Sequence, residues 1–233
     1  MTYRVAVDIG GTFTDFCVFN ESNSILSTHK VLSTPEEPGS EVALGVQELK
    51  EKDVLKPEQV SWFSHGTTVG INTVIQRSGA KLALFVTQGF EDVLEVARLK
   101  VPDPYNIFSR RADPLVPRER VFGVPQRTLK DGSVDTELDE TVVEDLIKLA
   151  KKMGSDTIVV SLLHSYANNA HERRIKEIIN ASDSEMAVTL SSDVWPVIRE
   201  YERTVTTTVA GYVQRRVATV SYTHLTLPTI LLV

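Results

Sequence analysis

The amino-acid sequence predicts an α/β fold built on a mixed sheet, and three observations carry that expectation. Residues 5–32 read as three strands of an antiparallel meander, followed by a helix that starts near Ser40. Further along, short apolar runs at 81–86, 157–163 and 187–190 alternate with helical patterns. The β-branched run 157–163 suits a strand covered on both faces. Hydrophobic residues are 42% of the 233 and charged residues 24%, ample for a core in one large domain or two small ones.

The first two strands, 5–9 and 16–19, flank Asp8-Ile9-Gly10-Gly11-Thr12-Phe13-Thr14-Asp15. Gly10 and Gly11 permit positive φ and a close backbone approach, so the turn can aim several N–H groups at one anion. Thr12 and Thr14 add hydroxyls, and Asp8 and Asp15 place carboxylates where a phosphate-bound magnesium ion would sit. A plain hairpin turn is the competing reading of the glycines. Cys17, the single cysteine, rules out an internal disulfide and is expected to be buried and inert in the second strand. The third strand, 25–32, alternates apolar and polar residues until Pro35 and Pro38 break it. Ser40 then caps a helix whose apolar positions are Val42, Leu44, Val46 and Leu49.

Residues 60–64 form a buried-strand pattern, and His65-Gly66-Thr67-Thr68 lies between it and a helix containing Asn72. Free N–H groups at a helix start favour an anion there, so a ligand-lining role for His65 stands beside that of a satisfied histidine before a capped helix. After the strand 81–86, Gly89 supplies a tight turn and Glu91 and Asp92 a charged helix start. Residues 98–117 are irregular and proline-rich; Arg98, Arg110 and Arg111 read as solvated surface or as a clamp for an anion. Lys130-Asp131-Gly132-Ser133 is a turn between short strands, and Asp139 and Glu140 open a helix that ends at Gly154.

His164 and Ser165 follow the strand 157–163 at the end where ligands gather in α/β sheets. His171-Glu172-Arg173-Arg174 opens the next helix, with capping and surface ion pairing expected of it. Neither histidine has partners at a metal-binding spacing. In Arg199-Glu200-Tyr201-Glu202-Arg203, the charged groups serve either an active site or an ion-pair network fixing the start of the last helix. That helix, 204–217, is expected to bury Val205, Val209 and Val213.

The Asp8–Asp15 stretch resembles the first phosphate loop of the actin-like ATPase superfamily, and in this form it resembles the hydantoinase/oxoprolinase A subunits. His65-Gly66-Thr67-Thr68, the turn at Thr87-Gln88-Gly89-Phe90, residues 121–127 and the block from Ser191-Ser192 to Arg203 extend the likeness over 3–217. Gly70-Ile71-Asn72-Thr73 departs from the family's usual Ala-Thr-Asn-Ala. The family's members are much longer, so this chain matches only their N-terminal region.

The resemblance implies a truncated ribonuclease H-like fold: a start with the phosphate loop over 3–97, a loop-rich insertion over 98–135 and an α/β continuation over 136–217. It implies ATP and Mg2+ as cofactors, and opening of a cyclic amide such as hydantoin or 5-oxoproline by phosphorylation of the amide oxygen. The alternatives are the β-type subunit of an ATP-dependent acetone- or acetophenone-type carboxylase, and a fragment without catalysis of its own. On this resemblance Asp8 and Asp15 are catalytic and hold the metal, while Gly10, Gly11, Thr12 and Thr14 bind phosphate. His65, Thr67, Thr68, Glu202 and Arg203 line a ligand. The expected partners are the missing C-terminal portion and a B-type subunit.

A formal net charge of −6 gives no reason to expect nucleic acid or an anionic membrane as partner. Without a signal peptide or a run of about 20 apolar residues, the expected location is the cytoplasm. Residues 220–233 fit no continuation of the last helix, and 220–229 resembles a translated sequencing adapter, so this tail is expected to be non-native and His224 without a role.

Overall fold

A computed structural model describes residues 2–34, 39–183 and 185–230, with side chains up to residue 218. The proline break expected over 35–38 and the side chains of the tail lie outside the described residues. The chain divides into two compact units, 1–78 with 215–233, and 79–214, whereas the sequence suggested lines at 97 and 135.

The first unit contains β1 (Tyr3–Ile9), β2 (Phe13–Asn20), β3 (Ile25–Leu32), α1 (Ser40–Glu51), β4 (Val60–Thr67) and α2 (Val69–Ile75). Its sheet runs β3-β2-β1-β4, with an antiparallel meander and β4 added parallel to β1, so it is mixed as expected. Period-two alternation sends Val5, Val7 and Ile9 of β1 and Phe16 and Val18 of β2 into a core shared with Val42, Val46 and Leu49 of α1. The same alternation turns Cys17 outward, so the cysteine expected to be buried is exposed.

Leu44, expected in the core, is also exposed, and Gly45 takes the buried position instead. Gly39, with φ 104°, holds the N-cap position, so Ser40 is the first residue of the helix and not its cap; the Glu41 carboxylate accepts from the Gly39 N–H (3.0 Å) and from the Thr34 hydroxyl (2.6 Å). A methyl on Gly45 would lie 2.3 Å from Cζ of Phe16, whose ring is fully buried. Gly45→Ala is therefore expected to cost about 1–3 kcal/mol through overpacking. An unchanged urea midpoint would show that the Phe16 ring moves aside freely.

The second unit contains β5 (Leu82–Thr87), α3 (Val93–Val96), β6 (Val121–Val124), β7 (Arg127–Thr128), β8 (Val134–Thr136), α4 (Glu140–Lys152), β9 (Thr157–Ser161), α5 (Ala170–Ser182), β10 (Ala187–Leu190) and α6 (Ser191–Val194). It also holds the first part of α7 (Glu200–Ile230), up to Gln214. The four-stranded sheet β10-β9-β5-β6 is parallel throughout, and every residue of β5 and β9 is buried, which explains their unbroken apolar runs. Val143 and Ile147 of α4 and Ile175 and Ile179 of α5 pack on this sheet. Asp139 caps α4 by accepting from the Val142 N–H (3.1 Å), and Gly89, Gly132 and Gly154 adopt the positive φ their turns require. Residues 97–117 form no helix or strand.

α7 departs from expectation twice. Its buried face is Thr204, Thr207, Thr208, Gly211 and Tyr212, while Val205, Val209 and Val213 are only half-buried. Thr204 and Thr207 can be buried because Thr207 donates to the Arg203 carbonyl (2.7 Å) and Thr204 bonds the Ser161 hydroxyl (2.8 Å), whereas the buried Thr208 hydroxyl has no partner among the described residues. A Cβ on Gly211 would lie 2.7 Å from Val159, so glycine lets the helix approach β9. The helix also runs on to Ile230 rather than stopping at Val217, since neither glycine nor proline interrupts it between Gly211 and Pro228.

Candidate functional site

The turn between β1 and β2 is closed by the Gly10 N–H donating to the Phe13 carbonyl (3.0 Å). Neither Gly10 nor Gly11 uses a positive φ; close approach is what requires them. A Cβ on Gly10 would lie 2.7 Å from the Phe13 carbonyl oxygen, and one on Gly11 would lie 3.0 Å from Nδ2 of Asn72. Among the described residues, the N–H groups of Gly11 and Thr12 have no protein acceptor, and both residues are exposed. The turn thus presents two free donors to solvent.

Asp8 and Asp15 stand opposite each other in the β1–β2 register, both on the outward face. Lys30 of β3, paired with Asp15 in register, places its ammonium 3.0 Å from that carboxylate. Gly66 is the partner of Asp8 on β4, where a Cβ would make an ordinary contact with the Asp8 carboxylate at 3.6 Å. Two carboxylates alone do not form a metal cage, and among the described residues no group of three His, Cys, Asp or Glu side chains could hold a metal.

Thr14 points the other way. It is wholly buried, its hydroxyl bonded to Ser33 (3.0 Å), whose own hydroxyl donates to the Gly10 carbonyl (2.9 Å). The hydroxyl expected to face a phosphate instead braces the turn from beneath. Ser33, which nothing in the local sequence distinguished, also donates its N–H to the Thr12 carbonyl (3.0 Å).

His65 and Thr67 belong to β4, in register with Val7 and Ile9, and so take the face opposite Asp8 and Asp15. Thr67 accepts from the Val69 N–H (3.2 Å), and Thr68 ties its N–H to the Ile9 carbonyl (3.2 Å) and its hydroxyl to the Asn72 amide (3.1 Å). These threonines serve the start of α2, and through Asn72 they set the wall against Gly11. Behind the turn, Gly10, Gly11, Ser33, Glu41, Asn72 and Thr73 line a cavity of about 170 Å³.

In the second unit, Arg203 is wholly buried. It donates to the carbonyls of Leu162 (2.7 Å) and Val197 (3.0 Å), to the Ser191 hydroxyl (3.2 Å) and to the Glu200 carboxylate. Ser191 in turn donates to Glu172 (2.6 Å), a buried carboxylate that also accepts from the N–H groups of Leu162 and Ser192 (both 2.9 Å). Arg203, expected to line a ligand, is instead fully buried at the centre of a network holding the end of β9 to the starts of α5, α6 and α7. Glu172, expected at the surface, is internal, as is His171, whose Nδ1 lies 3.0 Å from the Gln126 side-chain oxygen. Arg173 and Arg174 do make the surface ion pairs expected of that segment.

Glu202 is half-exposed and bonded by Arg98 (Nε at 2.7 Å), which holds its carboxyl below the usual carboxylate range. Arg111 donates to the carbonyls of Glu95 and Val96, closing α3 rather than forming a clamp. His164, with φ 58°, directs Nδ1 to the Thr128 carbonyl (2.9 Å).

Comparison with known proteins agrees with this architecture. Residues 4–182 match the family model for the hydantoinase/oxoprolinase N-terminal region. The chain is 33% identical to the acetophenone carboxylase gamma subunit of Aromatoleum aromaticum, over 91% of its own length and 31% of that protein. It is 31% identical to caprolactamase subunit alpha of Pseudomonas jessenii, over 90% of its length and 31% of that protein. The crystal structure of that ATP-dependent caprolactamase superposes with a TM-score of 0.85 at 29% identity, over 98% of this chain and 34% of the other. Nucleotide-free acetone carboxylase superposes at 0.84 and 27% identity, over 97% and 35%. The chain spans about a third of the length of the curated relatives it matches. With the family model covering most of its residues and relatives of over 30% identity spanning nine-tenths of it, the chain belongs to the hydantoinase/oxoprolinase family and carries that family's N-terminal region.

Proposed function

We propose that this chain is the phosphate-binding N-terminal part of a cytoplasmic, ATP-dependent enzyme that opens cyclic amides, its first unit a ribonuclease H-like half-domain. The observation that carries the reading is the β1–β2 turn. Two carboxylates stand in register on one open face, beside a Gly-Gly-Thr turn whose N–H groups lack acceptors. Those donors fit phosphate oxygens, and Asp8 and Asp15 fit a magnesium ion, which takes one or two carboxylates and completes its shell with water and phosphate. ATP would supply a phosphoryl group to the amide oxygen that makes its carbon an electrophile open to water; the ring C–N bond would then break with the nitrogen leaving as an amine, and the phosphoryl group would be released to water as inorganic phosphate.

Positioning and charge neutralisation are what remain for the protein in such a transfer. The Gly11 and Thr12 N–H groups and the Thr12 hydroxyl hold phosphate oxygens. Asp8 and Asp15 would hold the cation, with Lys30 orienting the Asp15 carboxylate. Ser33 and Thr14 fix the turn so that none of these groups reorganises on binding.

The carboxylase reading is favoured by one observation, the 33% identity to an acetophenone carboxylase subunit, which matches the likeness to caprolactamase. ATP turnover by the relative-length protein with its B-type subunit separates the two. Stimulation by 5-oxoproline, hydantoin or caprolactam, and not by acetone or acetophenone with bicarbonate, is the expected result. The reverse pattern would overturn the amide assignment.

A further inference from the structure

We propose that the cleft between α3 and the start of α7, in the second unit, binds a small organic carboxylate. The anionic group sits on Arg98 and Arg199, and the carbon body lies against Phe90, Val93 and Val96. The inference uses no residue of the β1–β2 turn and stands independently of the function proposed above.

The cleft has a volume of about 480 Å³, enough for a molecule of metabolite size. One wall follows directly from the C-terminal end of β5, through Gly89 and Phe90 into α3. That is the end of a parallel sheet where ligands collect. The apolar side chains Phe90, Val93 and Val96 line this wall, and Arg199 and Glu202 line the other.

The charges in the cleft do not cancel. Asp92 is neutralised by Arg118 at 2.5 Å and Glu200 by buried Arg203, so neither attracts a cation or repels an anion strongly. Glu202 faces two guanidinium groups, since Arg98 bonds it and the charge of Arg199 also acts on it. The remainder is one positive charge, in a chain whose formal net charge is −6. Arg199 makes no side-chain hydrogen bond or ion pair among the described residues, and it is exposed. Arg98 uses Nε and Nη2 on Glu202, which leaves further N–H groups of its five for a second carboxylate.

Backbone strain is concentrated at these two cations. Seven non-glycine residues among those described have positive φ; three of them are Ala97 and Leu99, which bracket Arg98, and Arg199 itself at 96°. Such conformations are unfavourable for residues with side chains and persist where the surrounding structure holds them. Here they fix the direction from which both guanidinium groups leave the chain. A single surplus charge selects a monoanion over a phosphate dianion, which the Glu202 carboxylate would repel, and the apolar wall selects an anion with a carbon body.

The test is a titration of the 233-residue chain, followed by ¹H–¹⁵N spectra of the arginine Nε–H groups, with acetate, benzoate, 5-oxoproline and inorganic phosphate as probes. The expected result is saturable displacement of the Arg98 and Arg199 signals by benzoate or 5-oxoproline, at least about tenfold tighter than by acetate or phosphate. Arg199→Gly should weaken binding at least about tenfold while leaving the urea midpoint unchanged or raised, because glycine relieves the positive φ. Equal displacement by phosphate, no displacement by any carboxylate, or full binding in Arg199→Gly would each overturn the proposal.

Discussion

Arg203→Ala is expected to lower the stability of the unit 79–214 by about 3–5 kcal/mol, the range for removing one partner of a buried ion pair. The guanidinium is fully buried and spends its donors in separate directions: on two carbonyls, a serine hydroxyl and the Glu200 carboxylate. Alanine would orphan the Leu162 and Val197 carbonyls and leave Glu200 without its guanidinium partner. It would also loosen Ser191, whose hydroxyl donates to the buried Glu172. Arg203→Lys keeps the charge but offers one compact ammonium in place of a planar fork, so it should recover less than half of the loss. Urea unfolding of the three proteins measures this directly. An Arg203→Ala shift below about 1 kcal/mol would mean that water or neighbouring donors replace the guanidinium, and that the network is not what joins the end of β9 to the start of α7.

That network also marks where reading the sequence stops. The Arg199–Arg203 block stood out as a cluster of charges, but its alternatives, active site or structural network, depended on Leu162 and Ser191, which lie 41 and 12 positions from Arg203. Nothing local announces that an arginine will be buried, because arginine is buried only when its partners are assembled around it. Local features fared better. Asp139 as a helix cap and Gly89, Gly132 and Gly154 as turn residues follow from side-chain reach and backbone sterics within a few positions. The runs over β5 and β9 were legible because a strand buried on both faces has no polar residue to spare.

The failures have a common physical form. Cys17 was expected to be inside because its strand is apolar, yet the register that buries Phe16 and Val18 must expose it. His65 and Thr67 were expected in a connection, yet parallel pairing with β1 carries β4 on through Thr67. The threonine face of α7 looked polar, but Thr207 finds its acceptor in the helix's own carbonyl and Thr204 its partner in β9. The Gly-Gly turn between β1 and β2 was itself legible, as the motif predicted. Its division of labour was not, since whether Thr14 points with Asp15 or against it is settled by pleat and by Ser33, 19 positions away.

Asp8→Asn is expected to separate binding from folding. Like charges directly opposite on neighbouring strands destabilise a sheet by roughly 0.2–1 kcal/mol, and Asp8 and Asp15 are such a pair, with Lys30 offsetting part of the repulsion from the Asp15 side. The protein without ligand should therefore become slightly more stable when Asp8 loses its charge. Binding of magnesium–ATP to the 233-residue chain, followed by calorimetry, should fall by at least about 100-fold, since even indirect supports of a metal cost 10–100-fold when removed. Asp15→Asn should show the same loss of binding with a smaller gain in stability, because it also breaks the 3.0 Å contact with Lys30. A pair of carboxylates retained for structure would behave in the opposite way: both substitutions would lower the urea midpoint, and neither would change magnesium dependence. If Asp8→Asn binds magnesium–ATP as tightly as the parent, the turn is a hairpin and nothing more, and the phosphate site must be sought elsewhere in the protein.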